Sequence, residues 1–192
     1  MNQNNFKYFL LNKPYGVLTQ FTDKKKRKTL ADVYNFPKEI YPVGRLDMDS
    51  EGLLLLTNDK FLTDYLLNPV NKNEKEYYVL VEGIPTEADL QELKRGVNIQ
   101  GKKTLMAKAK LIDEPGFSGR VPPVNCKKKT SCNWLSIVIT EGRFRQVRKM
   151  TAAIGHPTLR LVRIRIKNLL LGEMKPGEAR ELTRKEIEDL KK

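Results

Sequence analysis

Histidine is almost missing from this chain: His156 is the only one among 192 residues, and Cys126 and Cys132, with five residues between them, are the only cysteines. A four-ligand zinc site cannot be assembled from Cys and His in such a chain, and a Ser/His/Asp set has a single histidine to draw on. The HExxH, Walker A and dinucleotide-binding glycine patterns are missing as well, which excludes several common enzyme classes. Trp134 is the sole tryptophan, and Asp47 and Asp49, two residues apart on one chain, are poorly placed to flank a sugar as a glycosidase pair must.

No apolar run approaches the length of a membrane span, and Met1-Asn2-Gln3-Asn4-Asn5 lacks the cationic start and hydrophobic stretch of a signal peptide. The expectation is a cytoplasmic protein with no membrane partner. The two cysteines then read as reduced thiols, the alternative being a disulfide across the Lys127 to Ser131 loop.

Acidic residues are also scarce. Against 36 Lys and Arg stand 23 Asp and Glu, a formal net charge of +13, which calls for a polyanionic partner rather than for solubility alone. The excess is unevenly spread. From Gly142 to Gly172 there are eight Lys or Arg and no Asp or Glu, the segregation expected of a nucleic-acid surface. Within it, Arg163-Ile164-Arg165-Ile166-Lys167 alternates with period two, so a strand there would point three cations to one face, a ladder for a phosphate backbone. Lys24-Lys25-Lys26-Arg27-Lys28 is a second block of cations and reads as a solvated loop, free or laid against phosphate.

Local patterning predicts strands at Phe6 to Leu11, Tyr41 to Leu46, Gly52 to Thr57, Glu76 to Val81, Leu105 to Ile112 and Trp134 to Thr140. Helices are expected at Thr29 to Tyr34, at Lys60 to Leu67 ahead of Pro69, and after Thr86, with Asp89 as its capping partner and Gly96 as its stop. Val147, Met150 and Ile154 fall at helical spacing and leave Arg145, Arg148 and Lys149 on the other flank. Thr183 and Glu186 form a capping box for a terminal helix. Pro115 to Ser131, with three prolines and two glycines, suits an exposed loop. Strands outnumber helices and do not alternate strictly with them, so the class is α+β on antiparallel sheet. The length fits one domain spanning 1–192, or two closely packed halves.

Chemistry concentrates at Gly44-Arg45-Leu46-Asp47-Met48-Asp49-Ser50-Glu51-Gly52, which sets a carboxylate between turn residues and the apolar run Leu53 to Leu56. Asp47 is the first candidate. Asn12-Lys13-Pro14-Tyr15-Gly16 forces a turn that leaves Lys13 at a strand-to-loop junction. Glu141-Gly142-Arg143-Phe144-Arg145-Gln146-Val147-Arg148-Lys149-Met150, followed by Gly155-His156-Pro157, carries the basic helix.

In order and spacing these three segments resemble the RsuA-type family of RNA pseudouridine synthases, from Tyr8 to about Thr183. Val81-Glu82-Gly83-Ile84-Pro85-Thr86, Asp113-Glu114-Pro115 and Gly155 to Leu161 are most like its E-type subgroup, which acts on 23S rRNA. Ser50-Glu51-Gly52 stands where the family usually has Thr-Ser-Gly, a departure shared by E-type enzymes that leaves the role of Glu51 open. Many relatives carry an N-terminal S4 RNA-binding module; the first motif here begins by residue 12, so none is expected.

The resemblance implies a pseudouridine synthase fold, a mainly antiparallel mixed sheet with flanking helices and a central active-site cleft. It implies Asp47 as catalytic carboxylate, attacking C1′ or drawing a proton from C2′; Tyr77 stacked on the target uracil, with a role as base also open to it; and Arg148 paired with Asp47. Isomerisation within one nucleotide needs neither redox cofactor nor metal. The implied partner is 23S rRNA or its precursor, near the peptidyl-transferase region, and a monomer is the simplest expectation. On the residues alone, Arg148 reads first as a phosphate contact, Tyr77 as one of two adjacent strand tyrosines, and His156 as a turn residue before Pro157 more than as an acid-base group. Lys13 and Arg45 either bind phosphate or brace the loop; Arg143, Arg145, Lys149, Arg160, Arg163, Arg165 and Lys167 complete the expected RNA-binding set. A non-catalytic RNA-binding or ribosome-assembly protein, and a synthase acting on 16S rRNA or tRNA, are the rival readings.

Overall fold

The computed structural model describes residues 6–126 and 131–191. The polar leader Met1 to Asn5 and most of the Lys127 to Ser131 loop lie outside the described residues. In chain order the elements are β1 (Tyr8–Lys13), β2 (Tyr41–Pro42), β3 (Glu51–Thr57), α1 (Lys60–Leu67), β4 (Lys75–Glu82), α2 (Glu87–Arg95), β5 (Asn98–Ile99), β6 (Lys102–Lys103), β7 (Lys108–Ile112), β8 (Cys132–Ile139), α3 (Gln146–Ala153), β9 (Thr158–Ile166), β10 (Leu169–Leu170), β11 (Ala179–Glu181) and α4 (Arg184–Leu190). The chain divides into two compact units, one holding the described residues up to Asn73 and those from Arg163 onward, the other Glu74–Val162.

In the first unit the strand order is β11, β1, β3 and then the C-terminal half of β9, with β2 on β3 and β10 on β9. The β1–β3, β1–β11, β2–β3 and β9–β10 pairs are antiparallel. All seven residues of β3 are buried, which is why its sequence is a continuous Leu53 to Leu56 run and not an alternation: an interior strand covered on both faces is apolar on both. Phe9, Leu11, Leu54 and Leu56 pack with Val17, Leu30 and Ile40 into one cluster, edged by Phe21, Val33 and Phe36. Each such side chain taken from water stabilises by about 1.5–3 kcal/mol. The predicted helix at Thr29 to Tyr34 shrinks to one 3-10 turn, Leu30–Asp32, held by a Thr29/Asp32 capping box.

The second unit is built on β4, β8 and β7, joined by the N-terminal half of β9. β4 pairs antiparallel with β8 from Lys75 opposite Ile139 to Glu82 opposite Cys132, and β8 with β7. β4 alternates, burying Tyr77, Val79 and Val81. α2 starts at the Thr86/Asp89 capping box and stops at Gly96, as its sequence predicts. The short hairpin β5–β6 follows. Among the described residues the architecture is α+β, mainly antiparallel sheet with four flanking helices.

Cys126 and Cys132 are joined in a disulfide, their Cα atoms 6.3 Å apart. This corrects the expectation of free thiols. The segment after β7 returns to the start of β8, bringing two positions six apart in sequence within the span a disulfide requires.

Candidate active site

The loop from Gly44 to Ser50 carries Asp47 into β3, and its shape is set by the segment following Lys13. Thr19 Oγ1 donates to the Leu46 carbonyl at 2.6 Å and accepts from the Leu46 N–H at 3.2 Å. Gly16 N–H donates to Met48 O at 2.8 Å, and Ser50 N–H to Asp47 O at 3.0 Å. Leu46 is buried. A carboxylate flanked by a buried leucine and four backbone-fixing hydrogen bonds has little conformational freedom left, which is the condition for a positioned catalytic group. Asp47 itself is half-buried.

Behind this loop lies Lys13, with no exposed surface. Its Nζ donates to Pro14 O at 2.8 Å and Val17 O at 2.7 Å. Burial pushes its pKa down to about 8, against the pull of Glu51, Asp49 and Asp47 carboxylates and with a push from the Arg163 guanidinium. Bonded to two carbonyls, the ammonium braces the turn and supplies positive charge beside three carboxylates. Glu51, whose role the motif left open, is buried and is the strongest carboxylate influence on Lys13.

The phosphate ladder expected on β9 does not form. Arg163 is buried and its Nε donates to Leu53 O at 2.7 Å. Arg165 and Lys167 are half-buried; Arg165 Nη1 donates to Lys167 O at 2.7 Å, and Lys167 Nζ to Tyr65 Oη and Leu190 O at 3.2 and 3.0 Å. The physical reason is that each cation finds an acceptor within the fold, Leu53 O for Arg163, Lys167 O for Arg165, and Tyr65 with Leu190 O for Lys167.

In the second unit Tyr77 is buried on β4 beside Val79, whereas Tyr78 points to the opposite face, its ring 6.0 Å from that of Phe117. Arg148 lies half-buried on α3, with Nη1 3.5 Å from Thr158 O. Arg145 caps the same helix with a left-handed φ of 53°. Arg143 turns its guanidinium onto the β5–β6 hairpin, donating to Ile99 O at 2.9 Å and to Lys102 O and Lys103 O at 3.2 and 3.4 Å. Arg160 is buried, donating to Ser118 O at 3.1 Å and stacking on Phe117. Arg143 and Arg160 thus both bond to backbone carbonyls within this unit. Lys149, half-buried, lies 5.0 Å over the exposed Phe144 ring and donates to Gln100. His156 meets Glu82 O through Nδ1 at 2.8 Å and faces Asp89, the turn role its sequence suggests.

Sequence reasoning passed over Thr19 and Gln20. Gln20 Oε1 accepts from Arg45 Nη2 at 3.4 Å, and its Nε2 donates to Thr22 O at 2.7 Å. Their one sequence signal is position, directly after the Lys-Pro-x-Gly turn.

The sequence family described as RNA pseudouridylate synthase matches residues 7–153. A protein of Vibrio parahaemolyticus named ribosomal large subunit pseudouridine synthase E is 49% identical over 178 residues, 93% of this chain and 74% of that one. Ribosomal large subunit pseudouridine synthase B of Bacillus subtilis is 43% identical over 185 residues, 96% of this chain and 71% of its own. A crystal structure described as pseudouridylate synthase superposes with a TM-score of 0.81 at 30% identity, covering 97% of this chain and 74% of that one.

Proposed function

The chain belongs to the RNA pseudouridylate synthase family, and on that premise we propose that it converts one uridine, or a very few, to pseudouridine in 23S rRNA or its precursor, with Asp47 as the catalytic carboxylate. The relatives named for the large ribosomal subunit, the E-type protein first among them, support the substrate. The observation that carries the role of Asp47 is the loop described above, clamped by Thr19 and Gly16 and backed by buried Lys13.

In the reaction the C1′–N1 bond of uridine breaks, the uracil turns in place, C5 bonds to C1′, the C5 hydrogen leaves to solvent and N1 is left protonated. Asp47 opens the sequence at the ribose. As the family resemblance implies, Tyr77 retains the freed uracil by stacking and Arg148 is the partner of the Asp47 carboxylate. Reaching C1′ and C5 requires the nucleotide to leave its stack, at a cost of a few kcal/mol. Exposed Arg45, with Arg145 and Lys149, supplies backbone contacts that offset it.

Tritium release from 5-³H-uridine-labelled 23S rRNA fragments tests this, comparing wild type with Asp47→Asn at matched RNA occupancy. Release by wild type alone is expected. Equal release by Asp47→Asn would remove the role of Asp47, and release only from 16S rRNA or tRNA would replace the substrate.

A further inference from the structure

The five-cation run Lys24 to Lys28 is a shaped turn in the fold. Asp23 Oδ2 accepts from the backbone N–H groups of Lys25 and Arg27 at 3.2 and 3.0 Å. The same carboxylate holds the Arg27 guanidinium through Nε at 3.0 Å and Nη2 at 2.8 Å. Lys26 donates its N–H to Asp23 O at 3.2 Å and adopts a left-handed φ of 54°. These bonds hold the Asp23 carboxyl down to about 2, the Arg27 side chain contributing most.

The far end is pinned too. Leu18 N–H donates to Lys28 O at 2.9 Å, Leu18 and Thr29 form a parallel bridge, and Thr29 and Leu30 are buried. The Asp32 carboxylate is committed to the Thr29 N–H and hydroxyl at 2.7 and 2.9 Å.

Arg27 is thus occupied by Asp23, while Lys24, Lys25 and Lys26 are exposed and enter no ion pair among the described residues. Adjacent like charges repel, so a turn that gathers Lys24, Lys25 and Lys26, with exposed Lys28 beside them, holds a cost that simple solubility does not require. A nearby polyanion would relieve it. Gln20 ties this turn to the Asp47 loop within the same unit, one end of its amide on Arg45 and the other on Thr22 O.

Resting on the RNA reading above, we propose that the Asp23 to Lys28 turn is a further RNA contact: a phosphate clamp in which Lys24, Lys25 and Lys26 take the sugar-phosphate backbone flanking the target nucleotide, and Asp23 sets its shape. Lysine ammoniums are compact point charges with three donors, suited to phosphodiester oxygens and blind to base identity. The turn therefore adds affinity and not sequence choice. Because the backbone is already ordered, little conformational freedom is lost on binding.

The test is the affinity of the full chain for a 23S rRNA fragment as a function of KCl, for wild type, for Lys24→Gln/Lys25→Gln/Lys26→Gln together, and for Asp23→Ala. Three lost contacts to single-stranded phosphates make the slope of log K against log salt shallower by about two, an advantage of wild type that changes about sixteen-fold between 50 and 200 mM. An unchanged slope and affinity would overturn the clamp, as would an unchanged RNA slope with lost binding to vesicles of anionic lipid.

Asp23→Ala separates shape from charge. Removing an acid raises the net positive charge, so charge alone gives tighter binding, whereas loss of the turn gives binding weaker by several-fold. Tighter binding would overturn the shaping role of Asp23. Tritium release by wild type on the same fragment is scored separately: its absence counts against the substrate reading, while the salt slopes still decide the clamp.

Discussion

Gly52 brings β3 against the backbone of Arg163 at a separation that no side chain can share. A methyl on its α-carbon would collide with the Arg163 carbonyl oxygen and stand 2.7 Å from the Arg163 nitrogen, and its φ of 102° is one that L side chains rarely adopt. On the other edge of β3, Gly52 is the register partner of Lys13. The glycine that ends the Asp47 motif therefore lets two strands close around the buried lysine.

Gly52→Ala should lower stability by about 3–5 kcal/mol, because both the dihedral and the clash are with backbone, which cannot rotate away. Urea unfolding monitored by the fluorescence of Trp134 measures this. A change within 1 kcal/mol, about the effect of an ordinary surface substitution, would mean that β9 moves aside freely.

Lys13 gives the protein an alkaline response of defined sign. Its folded pKa is about 8, against about 10.4 for an unperturbed lysine. Below pH 8 both folded and unfolded chains keep the proton and this group contributes no pH dependence. Between about 8 and 10.4 the unfolded chain binds more protons, so the contribution of Lys13 to stability rises with pH. Turnover moves the other way, since Glu51, Asp49 and Asp47 lose the ammonium behind them while Arg163 remains. Single-turnover rates should fall as pH rises through about 8, and Lys13→Met should remove that limb and lower the rate below it. A wild-type profile flat to well above pH 9 would refute the assignment.

Arg143 separates bracing from phosphate binding. Its three carbonyl acceptors on the β5–β6 hairpin, of which the bond to Ile99 O is part-buried, predict that Arg143→Ala costs about 1–3 kcal/mol. Arg143→Lys should not restore it, because an ammonium cannot reproduce the planar fork. The salt slope of RNA binding should stay at the wild-type value. A slope shallower by about one unit with unchanged stability would return Arg143 to the phosphate contacts.

What was legible in the sequence was whatever is encoded within a few residues. The helix Lys60–Leu67 lies where its pattern and Pro69 put it. The Thr86/Asp89 and Thr183/Glu186 boxes start α2 and α4, because a cap is satisfied by its own first turn. The buried β3 was readable from its leucine run, and the family from three motifs in order. The two-residue strands β5 and β6 were not: two residues are too few to establish a period of two.

The remaining features were decided by groups far apart in the chain. Arg163 was read as solvent-facing because alternation assigns a face without saying whether that face is covered; its Nε is taken by Leu53 O, 110 positions away. Lys13 has local carbonyl partners, but Gly52 lies opposite it across the ladder and the carboxylates that act on its charge sit in a loop more than thirty residues downstream. The Cys126–Cys132 bond depends on how the loop after β7 returns to β8. Residue order by itself determined the capped helices, the buried leucine strand and the family, since those depend on near neighbours. Which of the cations on and around β9 and α3 are taken up by the fold was decided by tertiary packing, because Leu53 O meets Arg163, Tyr65 and Leu190 meet Lys167, and Ile99 O meets Arg143 from far along the chain.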